Sequence, residues 1–221
     1  NHLLYMVCKD GAIIPELNTW KDLLAEAKGK QIKVEHCIQT EKGWEAYQAF
    51  EIKVAEEDID PYLAYRLIPP GYEMWNEMGI YQRNLTNFEE TAILNNTQTD
   101  RNCMNCHSFC MQNPEQMQLH LRAKHAGTML IQGDEITKLE TKTEQTISAL
   151  VYPYWHPSGK FITYSVNDTK QLFHTHHQNR IEVMDLASDV VVYDVEKNEI
   201  VTTPSIFSTE AFETFPSFSP D

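Results

Sequence analysis

Positive charge is scarce in this 221-residue chain: eighteen lysines and arginines stand against thirty-two aspartates and glutamates, a net charge of −14. Such a balance repels phosphate backbones and anionic lipid alike, so no nucleic-acid partner is expected. Long apolar runs are also missing. Nothing approaches the roughly 18 residues that cross a bilayer as a helix, and the most apolar stretch near the start, Leu3-Leu4-Tyr5-Met6-Val7, is far too short. The chain opens at Asn1 with no charged segment leading into an apolar run, and reads as one from which a signal peptide has been removed. There is no Gly-rich phosphate loop, no H-E-x-x-H and no G-x-S-x-G. The many carboxylates single out no acid/base pair, so no catalytic residue is assigned. What is present in quantity is apolar residues, 42% of the chain, enough for a real core.

Five cysteines are too few and too unevenly spaced for a disulfide scaffold at this length. Cys8 and Cys37 read as a structural pair or as two buried apolar residues. The other three, Cys103, Cys106 and Cys110, crowd into eight positions, which favours cofactor or metal chemistry over crosslinking.

Local patterns divide the chain into three parts. Asn18, then Trp20, Leu23, Leu24 and Ala27, then Gly29, has the N-cap, spacing and C′ glycine of a short helix. Partial alternation over 31–39 and 46–54 predicts two strands joined across Lys42-Gly43. Pro69-Pro70-Gly71 is the strongest breaker, placing a module boundary near 68. From 72 to 88, Tyr72, Met74, Trp75, Met78, Tyr81 and Phe88 lack clean periodicity and read as an irregular, packed connector. Asn113-Pro114 with Gln116 has the form of a helix start, predicting a helix over 114–124 and then a strand over 128–132.

The last third contains a repeat. Tyr152-Pro153-Tyr154-Trp155-His156-Pro157-Ser158-Gly159 recurs in outline, 63 positions on, as Phe215-Pro216-Ser217-Phe218-Ser219-Pro220-Asp221. Strands are expected at 161–166 and 190–195, the habit of β-propeller blades. The second copy stops in mid-motif, so the chain reads as a fragment of a longer propeller. His174-Thr175-His176-His177 falls between two of these strands as a solvated loop, with metal binding as its alternative.

The chemistry concentrates in Cys103-Met104-Asn105-Cys106-His107. C-x-x-C-H is the pattern of c-type haem attachment. Two thiols on one helical turn add S–H across the two haem vinyl groups, and the histidine falls under the iron as proximal ligand. With nine histidines in the chain, a C-x-x-C pair would be followed by one by chance in only about 4% of cases. Zinc is the rival, since Cys103, Cys106, His120 and His125 have Cys2His2 spacing. Against it, a zinc finger presents basic residues to DNA, and on a helix His120 and His125 would stand about 140° apart. Cys103 and Cys106 as a thioredoxin-type redox pair would need a preceding strand, whereas 95–102 is polar and turn-like. For the second axial position, Met111 is too near to turn back. Met117 and His120 would share a face of the 114–124 helix, and His120 is favoured, with Met117 as the alternative.

The repeat motif resembles the blades of TolB-like β-propellers. Together with NCMNCHSF at 102–109 and GYEMWNEMGIYQRNLTNF at 71–88, it resembles a family of bacterial envelope proteins in which a haem-type motif precedes a TolB-like propeller. These are often labelled cytochrome c biosynthesis proteins. The resemblance runs from about residue 60 to the end and is weaker over 1–59. It implies haem attachment at Cys103, Cys106 and His107 and a place in the periplasm or cell envelope, after export. It does not imply haem handling, and because the motif lies mid-chain, it does not imply a cytochrome c fold.

The expected fold is mainly β with some α. A small N-terminal module with one short helix spans 1–68, an irregular or helical connector bearing the haem motif spans 69–148, and the first blades of a propeller span 149–221. The expected function is haem carriage, in electron transfer or as a haem-bearing subunit, with a redox or envelope protein as partner. The alternative is a TolB-like interaction scaffold whose Cys/His segment is a structural zinc or redox clip; no enzyme activity is assigned under either.

Overall fold

The structure, a computed structural model, describes residues 3–8, 11–69, 77–144, 146, 148–176, 178–179 and 181–220. It is mainly β, with one α-helix among the described residues. Two compact units are present: Asn1–Leu63 with Arg83–Glu90, and Ala64–Gln82 with Thr91–Asp221. Of the aromatic connector residues, Tyr72, Met74 and Trp75 lie outside the described residues.

In the first unit, α1 (Leu17–Ala27) forms where expected but is capped differently. The Glu16 carboxylate, not Asn18, accepts from the backbone N–H of Asn18 (3.0 Å) and Thr19 (2.7 Å). Its longer side chain reaches forward from one residue before the helix. Gly29, at φ +75°, supplies the left-handed residue that ends the helix and starts the next strand. The two long strands expected here are four short ones. β1 (Gln31–Val34) pairs with β4 (Phe50–Lys53), and β2 (Cys37–Thr40) pairs with β3 (Gly43–Ala46) across the Lys42-Gly43 turn. The break falls at His36, whose ring stacks on Tyr47 with centroids 5.4 Å apart. Cys8 and Cys37 are free and exposed, so the reading of them as paired or buried is corrected.

Beyond this, β5 (Tyr62–Leu67), β6 (Gly79–Asn84) and β7 (Glu90–Asn95) form a three-stranded sheet in that order. The connector is therefore partly regular. Its residues Met78 and Ile80 are fully enclosed in an apolar cluster with Cys103, Met104, Met117, Leu119 and Leu121.

Two four-stranded antiparallel meanders dominate the second unit. The first is β8 (Met104–Phe109), β9 (Gln116–Leu121), β10 (Gly127–Gln132) and β11 (Glu135–Lys138). The second is β12 (Leu150–Trp155), β13 (Phe161–Phe173), β14 (Ile181–Asp194) and β15 (Glu199–Val201). Up-and-down sheets of four strands are the unit from which propellers are built. The expected strands at 128–132 and 161–166 are present within β10 and β13, and that at 190–195 falls in β14, which ends one residue earlier, at Asp194.

The expected helix over 114–124 is not formed; that segment is strand β9. Asn113-Pro114 makes the turn into it, with the Asn113 side chain accepting from Glu115 N–H at 3.1 Å. The same side chain that caps a helix also closes an Asx-turn. What decides is the alternation in Gln116-Met117-Gln118-Leu119-His120-Leu121. It sends Met117, Leu119 and Leu121 into the cluster with Met78, while Gln118 and His120 pair with Leu130 and Thr128 on the opposite face.

A second cluster gathers Leu130, Leu139, Leu150, Trp155, Ile162, Tyr164, Val166, Val191 and Tyr193. The Trp155 indole N–H donates to the Ser108 carbonyl at 3.3 Å, linking β12 to β8. Tyr164 is 1% exposed and its hydroxyl finds no partner among the described residues. A buried hydroxyl without a hydrogen bond costs free energy, while the ring contributes packing. Replacing Tyr164 by Phe is therefore expected to leave stability unchanged or raise it, whereas Tyr164→Ala loses about 3–5 kcal/mol, as read from urea unfolding.

Candidate functional site

The C-x-x-C-H residues do not sit on a helical turn. Cys103 precedes β8, and Cys106 and His107 lie within it. Asn105 pairs with His120 and Ser108 with Gln118, so Cys106 and His107 together oppose the single residue Leu119. This is a two-against-one bulge. Cys106 takes φ +52°, a left-handed conformation that a side chain with a Cβ rarely adopts. The Gln118 side-chain N–H donates to the Cys106 carbonyl and holds the bulge.

The same bulge occurs in the second meander. Val151 pairs with Ser165 and Tyr154 with Thr163, so Tyr152 and Pro153 oppose Tyr164, and Tyr152 also has φ +52°. Phe215, at φ +53°, opens the next copy of the repeat. Cys106-His107-Ser108-Phe109 thus stands where Tyr152-Pro153-Tyr154-Trp155 and Phe215-Pro216-Ser217-Phe218 stand, and the C-x-x-C-H segment is itself a copy of the repeat that opens the second meander. The turn after it repeats as well: Asn113 N–H donates to Cys110 C=O at 2.8 Å, as Gly159 N–H does to His156 C=O at 2.9 Å. Sequence comparison misses this copy because histidine replaces the proline that marks the other two. The Tyr152 and Phe215 rings meet at 4.4 Å, and both remain open to solvent, at 42% and 66% exposure.

Each predicted ligand has a definite place. The His107 ring N–H donates to the Ala64 carbonyl, and burial, with the nearby Arg66 charge adding, lowers its pKa against that bond. One ring nitrogen is thereby committed to that carbonyl. Cys103 is 7% exposed in the apolar cluster, and burial pushes its thiol pKa up. Cys106 is half-buried. A cavity of about 290 Å³ opens at Leu67, Glu77, Met78 and Tyr81, and Met78 packs in the same cluster as Cys103.

His120 and Met117, which a helix would place on one face, point to opposite faces of β9. Met117 is buried in the apolar cluster. His120 is 4% exposed, its Nδ1 lies 3.0 Å from Thr128 Oγ1, and its Nε2 has no partner among the described residues. In the second meander the matching residue is Ser165, whose hydroxyl accepts from Phe215 N–H at 3.0 Å. His125 lies apart on the surface, its Nε2 2.9 Å from Asp100. The zinc set of Cys103, Cys106, His120 and His125 is therefore not assembled, and no three metal-donor side chains come together among the described residues. His174 and His176 occupy the β13–β14 turn, where His174 Nε2 lies 3.0 Å from Glu182; His177 is outside the described residues.

No protein-family profile matches the chain, and no curated protein does. Among solved structures, it is similar to an oligogalacturonate lyase in complex with manganese, at 13% identity and a TM-score of 0.31, covering 57% of this chain and 41% of that one. The chain spans less than half the length of that protein. A likeness this distant carries no functional argument.

Two measurements test this geometry in haem-free protein. Native alkylation followed by mass spectrometry is expected to label Cys106 well before Cys103, with denaturant equalising them; equal native rates would show that Cys103 is not enclosed. The second concerns pH. Burial, with the Arg122 charge adding, lowers the His120 pKa from 6.5 to about 4. The unfolded chain then takes up the proton first, so stability held above pH 6.5 is lost as pH falls toward 4. The loss is on the order of 3 kcal/mol, and His120→Gln should flatten that part of the profile.

Proposed function

We propose that this chain is a c-type haem-carrying protein of the bacterial cell envelope, in which a blade-opening bulge of a TolB-like propeller has become the haem attachment segment. The observation that carries the reading is His107. Its ring N–H reaches the Ala64 carbonyl, the kind of contact that orients metal-bound histidines. Cys103 and Cys106 would hold the group through thioethers and His107 would bind its iron. When bound, haem supplies a one-electron ferric/ferrous couple. The residues present fit such a group at two further points: an open aromatic surface at Tyr152 and Phe215, and an uncommitted buried nitrogen on His120.

The chain's own residues do the rest. The β8–β9 ladder fixes the spacing of Cys106 and His107, and the apolar cluster around Cys103 keeps water from that side, which weakens dielectric screening and makes nearby charges count. His120, whose Nε2 has no partner among the described residues, would be the second residue to bind the iron, with Met117 as the alternative. Electron exchange with a redox or envelope protein partner is the resulting function.

A second reading, an interaction scaffold, is supported by the outer β13–β14 ribbon. There Phe173 and Val183 on one face and Leu172 and Met184 on the other are 47–59% exposed, so apolar side chains stand open on both faces of the ribbon. Protein matured in a host that makes c-type cytochromes separates the two. Haem that stays with the chain under denaturing electrophoresis, and is lost when Cys103 and Cys106 are changed to Ala, is expected. A colourless product from that host would leave the scaffold reading. In holoprotein, His120→Ala should convert a low-spin spectrum to high-spin, and Met117→Ala should not.

A further inference from the structure

We infer that the outer part of the β13–β14 ribbon is a dimerisation arm, which pairs edge to edge through β13 with the same strand of a second copy of this chain. The inference is independent of the haem reading, and it gives the apolar ribbon of the second reading an occupant.

β13 and β14 outrun the sheet they belong to. β12 accompanies β13 only as far as Val166, which pairs with Leu150, and β15 accompanies β14 only over 192–194. The β13–β14 ladder continues without them, from Asn167 opposite Ser188 to Phe173 opposite Ile181, with a bulge at Leu186. Among the described residues, no further strand runs along either outer edge of that ribbon. A two-stranded ribbon standing alone is marginal in water. Its unpaired N–H and C=O groups are a template on which another strand can add.

Charge decides which edge is used and what pairs with it. Edges of one sign keep copies of a chain apart. The β14 edge is of that kind, since Glu182 and Asp185 are its only charges over 181–187. The β13 edge carries both signs: Asp168 and Lys170 are exposed, two positions apart and so on one face. Two copies of a strand related by a two-fold axis run antiparallel, and what one residue meets on the partner is returned in exchange. An axis at Thr169 sets Asp168 opposite Lys170 twice over and Asn167 opposite Gln171. Directly opposed unlike charges attract and like charges repel. Moving the axis one residue on would set Lys170 against its own copy, so the charges fix the register as well as the partner. In a chain of net charge −14, where two copies repel on the whole, a local match of this kind selects the face that meets. The pairing covers 167–171 and stops there, because beyond Asn167 the edge of Val166 is taken by Leu150. The two ribbons then form one four-stranded sheet, and each lays its open apolar side chains beside the other's.

Sedimentation equilibrium of the full chain over a range of concentrations tests the arm. Wild type should associate to twice the chain mass. Asp168→Lys and Lys170→Asp each turn both attractions into repulsions, which should weaken the dimer about tenfold or more, with unchanged circular dichroism. Mixing the two variants in equal amounts restores unlike charges at both places and should recover the dimer as a heterodimer. Amide exchange over 167–171 should slow with rising concentration in wild type and in the mixture, and in neither variant alone. A wild type that stays monomeric would overturn the inference, as would a dimer that both variants form as tightly as wild type or a mixture that recovers nothing. Covalent haem is scored separately on the same samples and decides only the reading of the C-x-x-C-H segment.

Discussion

An antiparallel ladder admits one residue opposite one, and the site depends on breaking that rule at Leu119. Two residues, Cys106 and His107, share a single partner, and the sheet survives because Gln118 takes up the Cys106 carbonyl and the Trp155 indole takes up the Ser108 carbonyl. Without the extra residue, alternation would carry on unbroken from Asn105 and would place His107 and Ser108 each on the other face. The bulge therefore sets where the histidine lies, and with it the Ala64 contact. Its recurrence opposite Tyr164 shows that it belongs to the sheet's architecture before it belongs to any cofactor.

The surroundings of the bulge are unusual for their unmet polar groups. His120 Nε2, Gln118 Oε1, Asn102 Nδ2 and the Tyr164 hydroxyl are all buried without partners among the described residues, and all belong to this unit. Each such group costs about 1–3 kcal/mol. Stability alone would favour apolar replacements there, so their presence beside C-x-x-C-H fits a region that trades stability for binding.

Much of the β architecture was legible in the residues. The aromatic repeat at Tyr152 and Phe215, the strands around 161–166 and 190–195, the hairpin at Lys42-Gly43 and the helix before Gly29 each follow from local patterns that nearby packing does not overrule. The misreadings share a cause. Asn113-Pro114 serves a helix start and an Asx-turn equally well, and the choice between them lies in whether 116–121 has two buried faces. Gln118 and His120 are polar residues on one of those faces, so they disguise a fully enclosed strand as an amphipathic helix. Cys8 and Cys37 were read from the usual burial of cysteine, but their exposure is set by neighbours that local sequence does not name.

By itself the sequence determined a mainly β chain of strongly negative charge, the repeat at 152–159 and 215–221, and the C-x-x-C-H spacing, because each of these is a matter of composition or of residues a few positions apart. Tertiary structure alone decided that the C-x-x-C-H segment is a further copy of that repeat, that His120 and Met117 face opposite ways, and that Arg66 comes to the carbonyl of Met104 from 38 residues away. The physical reason is that these facts depend on register. A ladder shifted by one residue reverses every side chain on a strand, and register is fixed by pairing and burial across the whole sheet rather than by any window of sequence.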